Sequence, residues 1–259
     1  MVYSKLRGQN HSYFLEITKI IMSGHSKWAS IKHKKGAADA KRANLFTKLS
    51  KNITVAARNG GDPDMNFSLR MAVDKARSLS MPKDNIERSI KKGTGELGGE
   101  ILEEVIYEGY GPGGVALLIE GITDNKNRTT PEVRAILTKA QGSLGAQNSV
   151  KWMFEHKGVI GIELSSVNDK DELSLELIDV GAEDVVEEDN GLTIYSEFTD
   201  FEKVKKELEK KNIKIEYAEV EWVAKDATDI EDGLRERVDK IIDSLEEHDD
   251  VNAVFTNLK

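Results

Sequence analysis

The chain has 259 residues, with 37 Lys+Arg, 46 Asp+Glu and a formal net charge of -9. At 39% hydrophobic it can bury real cores, which excludes wholesale disorder. It has no cysteine, which excludes disulfide scaffolds, thiolate zinc, iron–sulfur clusters and thiol nucleophiles, and apolar runs such as Val115 to Ile119 are far too short to cross a bilayer.

The net charge hides a split. Residues 1–95 carry 19 Lys+Arg against 7 Asp+Glu, a net of +12, while residues 96–259 carry 18 against 39, a net of -21. An asymmetry of this size points to one polyanion-binding end and an acidic remainder.

Residues 1–21 lack the uninterrupted apolar stretch and the small-residue cleavage site of a signal peptide. They read as an extension, either disordered or a mis-assigned start. With no signal and no cysteine, the cytoplasm is the default compartment.

From Gly36 to Arg58 the pattern is helical. Leu45, Phe46, Leu49, Ile53, Ala56 and Ala57 share one arc, with Lys48, Lys51 and Arg58 opposite and Lys41 near the edge. Arg42 falls inside the apolar arc. Gly60-Gly-Asp-Pro63 ends this helix. A second is expected from Asn66 to Leu79, burying Phe67, Val73, Ala76 and Leu69. A third starts near Pro82, turns Ile86 and Ile90 inward and stops at Gly93. Together they predict a small helical bundle.

Gly93-Thr-Gly-Glu-Leu-Gly-Gly99 reads as a linker, and the charge changes sign there. Glu104–Glu108 and Val115–Gly121 flank a Gly-rich segment and predict a hairpin. Thr129-Thr-Pro-Glu132 reads as a capping box opening a helix to about Lys139, with Pro131 in its first turn. Residues 157–223 follow the order β-α-β-β-α-β, with a turn signal at Asp189-Asn-Gly191. A helix over 230–247 and a strand over 251–255 close the chain. These last elements cannot form a core alone, and neither can the hairpin and helix at 103–140. The economical solution packs them together.

The fold expectation is therefore α+β and multidomain: an N-terminal three-helix bundle, a split mixed α/β domain, and an inserted ferredoxin-like βαββαβ domain. The boundaries are 1–21 for the extension, 22–95 for the basic helical domain, 100–155 plus 224–259 for the split domain, and 156–223 for the acidic ferredoxin-like domain.

The segment from His25 to Lys35 concentrates His25, Lys27, Trp28, Lys32, His33, Lys34 and Lys35 in eleven residues. Lysines on a flexible segment neutralise phosphates; Trp28 either packs into the bundle or stacks on a base. Lys41, Arg42, Lys48, Lys51 and Arg58 would extend this charge along one helix. Lys83, Arg88, Lys91 and Lys92 add a second cluster. Lys126 and Arg128 lie in a polar loop before a helix start, where anions bind. His25 and His33 do not have metal-ligand spacing. Gly109-Tyr-Gly-Pro-Gly-Gly114 lacks a P-loop ending and is followed by a strand, so it reads as a turn. No nucleophile elbow, base–nucleophile pair or cofactor motif is apparent. The acid pairs Glu103-Glu104, Glu187-Glu188 and Asp249-Asp250 read as solvated surface, and His156 and His248 as isolated.

Several motifs in order resemble the YebC/PmpR family: Ser23-Gly-His-Ser-Lys-Trp-Ala-Ser-Ile-Lys-His-Lys-Lys35, Asp39-Ala-Lys-Arg42, Phe46-Thr-Lys-Leu49, Arg58-Asn-Gly-Gly-Asp-Pro63, Met81-Pro-Lys-Asp-Asn-Ile-Glu-Arg88, Lys92-Gly-Thr-Gly95, Tyr107-Glu-Gly-Tyr-Gly-Pro-Gly-Gly-Val115, Thr123-Asp-Asn-Lys-Asn-Arg-Thr129 and His248-Asp-Asp-Val251. The resemblance covers about 22–259 and makes Met22 the expected natural start. Ser80, Gln141 and Gln147-Asn148 depart from the usual pattern. The resemblance implies three domains and a DNA-binding transcriptional regulator of the cytoplasm; similar proteins, a mitochondrial translational activator among them, act in translation.

The expectation is a non-enzymatic nucleic-acid-binding regulator without cofactor or membrane. Its partner is DNA or ribosomal RNA, with a protein partner for the acidic domains. The competing readings are an RNA- and ribosome-binding translation factor that assists elongation, and a protein–protein adaptor.

Overall fold

The computed structural model describes residues 42–98, 101–188 and 191–259. The segment from His25 to Lys35, and Lys41 with it, lies outside them. Of the described residues, 42–152 with Glu231–Thr256 form one compact unit, and Met153–Ile230 with Asn257–Lys259 form another. The architecture is α+β, with two four-stranded sheets whose strand pairs are all antiparallel.

The first unit opens with three helices, α1 (Arg42–Ala56), α2 (Phe67–Ser78) and α3 (Lys83–Gly93). Leu49, Ile53 and Ala57 pack with Leu69, Val73, Ala76, Met81 and Ile86 in one core. Asn66 caps α2, accepting from the Leu69 N–H, while its own amide donates to the Ala56 and Gly60 carbonyls. Phe67, expected in the core, is half-buried with the Arg70 guanidinium 5.5 Å above its ring. Leu69, Val73 and Ala76 are buried as expected. Gly93 does more than end α3. A Cβ there would lie 2.3 Å from the Thr54 carbonyl oxygen, so glycine lets α3 approach α1.

The same unit continues with β1 (Glu103–Tyr110), β2 (Ala116–Thr123), α4 (Lys126–Lys139) and β3 (Ser143–Leu144), then α7 (Asp232–Glu246) and β8 (Val251–Thr256). Its sheet runs β3-β1-β2-β8. Val133 and Leu137 of α4 and Val238, Ile241 and Leu245 of α7 are buried with Leu117 and Ile119 of β2. The Gly-rich segment 109–114 is a tight turn, with the Gly111 N–H donating to the Val115 carbonyl and Gly113 and Gly114 at φ 74° and 79°.

The start of α4 differs from the capping-box expectation. Asn125 is the cap and accepts from the Asn127 and Arg128 N–H groups, so the helix starts a turn earlier and Pro131 lies inside it. An asparagine oxygen reaches the free first-turn donors before the threonine pair can. Thr129 is fully buried instead.

The second unit contains β4 (Phe154–Glu163), α5 (Lys170–Asp179), β5 (Ala182–Glu188), β6 (Gly191–Glu197), α6 (Phe201–Lys210) and β7 (Ile215–Ala224), with sheet order β5-β6-β4-β7. That element order is the split βαβ pattern. Its residues 153–230 hold 22 Asp+Glu against 9 Lys+Arg.

Candidate nucleic-acid interface

The predicted basic residues that the structure describes fall into two groups with opposite surroundings. On α1, the face opposite the apolar arc is docked within the same unit. The Lys48 ammonium donates to the Glu246 carbonyl and the Asn44 amide to the Glu247 carbonyl at 3.0 Å. These carbonyls end α7, where unpaired C=O groups and the helix dipole attract a cation. Lys51 donates to Asp250 Oδ1 at 2.6 Å, the Asp249 carbonyl at 3.0 Å and the Ile122 carbonyl at 3.3 Å. Arg58 donates to the Leu102 carbonyl. The side of α1 expected to present charge outward thus braces the bundle against the sheet and α7. Arg42 is the first residue of α1.

On α3 the cations face water. Arg88, Lys91 and Lys92 are exposed and line an open groove with Asp84, Glu87 and Leu97; none of the three forms an ion pair with a described residue. Lys91 and Lys92 sit in the last turn, where the helix dipole favours positive charge. Lys83, at the other end, pairs with Glu87 at 3.4 Å.

Lys126 and Arg128 do not lie in an open loop. Both belong to the first turn of α4, Lys126 paired with Glu103 at 2.5 Å and Arg128 with Asp124 at 2.8 Å and Asp250 at 2.6 Å. Here the helix start supplies its own counter-ions, Asp124 beside its cap and Asp250 across from it.

Asp250 is the centre of this arrangement, and reading it as solvated surface was wrong. It is 2% exposed, and its carboxylate accepts from Lys51, Arg128, Thr129 at 2.7 Å and Thr123 at 3.1 Å. Burial alone would raise its pKa. The hydrogen bonds from Lys51, Thr129 and Arg128 and the Lys51 charge outweigh it and hold the group well below the usual carboxylate range. The backbone closes in as well. Gly121 sits at a bulge in β2, where a Cβ would lie 2.3 Å from the Asp250 carbonyl oxygen. His248 is not isolated: Nδ1 accepts from the Asp250 N–H at 3.1 Å and Nε2 lies 3.0 Å from Glu132 Oε2. Two resembling motifs meet here, the Asp124 loop and His248-Asp-Asp-Val251, together with Lys51 of α1.

A second buried carboxylate escaped the sequence reading. Glu108 of β1 is 5% exposed and accepts the N–H groups of Asn148 at 2.6 Å, Val150 at 2.8 Å and Lys151 at 2.7 Å. Burial raises its pKa, but these three donors and the Lys151 charge bring it below its ordinary value. Its only sequence signal is an acid at a position whose β2 partner, Leu118, is apolar. Among the described residues, no group of three or more His, Asp or Glu side chains could hold a metal ion.

The described residues thus combine an α+β fold, three solvated cations on α3, and cations of α1 and α4 held by carboxylates and carbonyl oxygens. Comparison with known proteins narrows this further. Residues 26–96 match the family model described as the TACO1/YebC protein N-terminal domain, and residues 102–258 match the TACO1/YebC second and third domain. The chain belongs to the TACO1/YebC family. A protein of Halothermothrix orenii named probable transcriptional regulatory protein is 53% identical over 239 residues, covering 91% of this chain and 94% of that protein. One of Dehalococcoides mccartyi, strain CBDB1, with the same descriptive name is 52% identical over 237 residues, covering 91% and 94%. The crystal structure of a conserved hypothetical protein from Aquifex aeolicus superposes with a TM-score of 0.81 at 46% identity, covering 90% of this chain and 97% of that one. No helix among the described residues is long and apolar enough to cross a membrane.

Proposed function

We propose that the protein is a nucleic-acid-binding regulator of gene expression, acting on DNA in transcription, and that it binds rather than catalyses. The charge split carries this reading: +12 over residues 1–95 against -21 over the rest. The solvated Arg88, Lys91 and Lys92 on α3 support it, as do relatives named probable transcriptional regulatory proteins. Lysine-rich contact with phosphates gives affinity and little sequence preference. The same phosphates repel the acidic remainder, which orients the chain and leaves that part for a protein partner. The interface proposed here comprises 25–35 together with the α3 cluster; the domain division 22–95, 100–155 plus 224–259, and 156–223 belongs to the same proposal, as does the cytoplasm.

The test is a salt titration of the full chain on duplex DNA and on a ribosomal RNA fragment. Lys34→Glu with Lys35→Glu is expected to weaken binding by at least about tenfold and to flatten the salt dependence. Wild-type affinity in that double variant would remove 25–35 from the interface. Tight binding to the RNA fragment alone would replace transcription with the translation reading.

A further inference from the structure

The loop between β3 and β4 is built more rigidly than a connection needs. Three of its N–H groups, those of Asn148, Val150 and Lys151, converge on the buried Glu108 carboxylate, and the Gly145 N–H donates to the Glu108 carbonyl at 2.7 Å. Asn148 is held at φ 63°, in the left-handed region that non-glycine residues seldom adopt. Val150 is fully buried and pins the loop from beneath.

What this framework displays is an aromatic ring. Trp152 is 67% exposed, yet its Nε1–H donates to the Ser149 carbonyl at 3.1 Å, an oxygen that also accepts from the Tyr110 hydroxyl at 3.0 Å. The indole is therefore fixed in direction while most of its surface meets water. A tryptophan is the largest apolar side chain, and leaving one uncovered forgoes substantial burial. The same loop exposes Gln147 and Asn148, two amides that carry both donors and acceptors.

We infer that Trp152, with Gln147 and Asn148, forms a stacking platform for one unpaired nucleobase. This deepens the nucleic-acid reading and rests on it. A flat ring fixed in place binds the π-face of any base, and neighbouring amides meet a base edge. An apolar protein segment would call for an aliphatic rim, whereas the other exposed side chains of 145–149 are Ala146, Gln147 and Asn148. A paired base already has its faces covered by its neighbours, so the platform acts on single strands, loops and bulges. Phosphate contact through α3 serves both duplex and single strand.

The experiment compares the full-length wild type with Trp152→Ala and Trp152→Phe on a single-stranded oligoadenylate and on a duplex of equal length, by fluorescence anisotropy. Trp152→Ala is expected to weaken single-strand binding about five- to hundredfold and duplex binding by less than about twofold. Trp152→Phe should restore single-strand binding to within about threefold of wild type while reducing the quenching of indole emission on binding to what Trp28 and Trp222 contribute. The exposed position leaves folding intact, checked by an unchanged melting temperature. Equal losses on both polymers, or no loss on either, would overturn the platform and leave the nucleic-acid reading standing. A wild type that binds neither polymer would end both.

Discussion

Helices α1 and α3 lie in the same bundle and carry similar numbers of cations, but use them differently. Lys48, Lys51 and Arg58 of the α1 segment are held by carbonyl oxygens and by Asp250. Arg88, Lys91 and Lys92 of α3 stand in water without an ion pair to a described residue. The difference separates charge count from charge on offer. A cation whose donors already meet a buried carboxylate would have to abandon it, uncompensated, to reach a phosphate. A solvated cation gives up only water and gains the entropy of the counter-ions that leave the polymer.

The largest blow to this contrast is Asp250→Asn. It leaves Lys51 and Arg128 facing a neutral amide in a largely buried setting, and is expected to cost about 3 kcal/mol in urea unfolding. An unchanged midpoint would mean that the α1 cations are as solvated as those of α3. The next test sets the two helices directly against each other. Replacing Arg88, Lys91 and Lys92 together by Gln is expected to weaken nucleic-acid binding about a hundredfold and to lower the log–log salt slope by roughly 2 to 3, with stability lowered by no more than about 1 kcal/mol through the lost dipole contacts of Lys91 and Lys92. Lys51→Met should do the reverse, costing about 1 to 2 kcal/mol of stability while the slope stays at its wild-type value. A lowered slope in Lys51→Met would move the interface onto α1.

Glu108→Gln sharpens the comparison within the sheet. Asp250 is neutralised by cations, Glu108 by backbone N–H groups. The glutamine keeps the shape, but its NH2 group cannot accept, so at least one buried N–H loses its partner, at a cost of about 2 kcal/mol. Both carboxylates have lowered folded-state pKa values. Each therefore contributes stability that is present above the unfolded value near 4 and is lost as pH falls below it. Unfolding measured between about pH 2 and 4 should show a shallower slope in each variant than in the wild type.

The period of the apolar residues made the elements legible. The helix expected over Asn66–Leu79 is Phe67–Ser78 flanked by those two residues, and the strand expected over 251–255 is Val251–Thr256. Periodicity says which face of a helix is apolar; it does not say whether the polar face meets water or a second layer. That is why Lys48 and Lys51 looked available. Their partners lie 198 to 199 residues away, beyond any local pattern. Asp250 was hidden by its neighbour. The two lie in the turn between α7 and β8, which directs the Asp250 carboxylate into the fold and leaves Asp249 exposed, a split that no local period announces. Trp152 gave no signal because exposure of a single aromatic is set by what folds over it.

The smallest expected effect tests the same separation at its limit. Lys83 is 86% exposed and pairs with Glu87 four residues on, 3.4 Å away. The pair runs in the less favourable direction, lysine before glutamate, and Lys83 is the first residue of α3, where the dipole opposes a cation. Lys83→Ala therefore loses a weak attraction, removes a weak repulsion and gains helix propensity, for a net change within about 0.5 kcal/mol. Urea unfolding should scarcely register it. Its loss should still reduce the salt slope of binding, by at most about 1, because a solvated lysine contributes through the ions it displaces and not through the contacts it makes. If stability fell by more than about 1 kcal/mol, Lys83 would have to be braced as Lys51 is, and the division between the two helices would not hold.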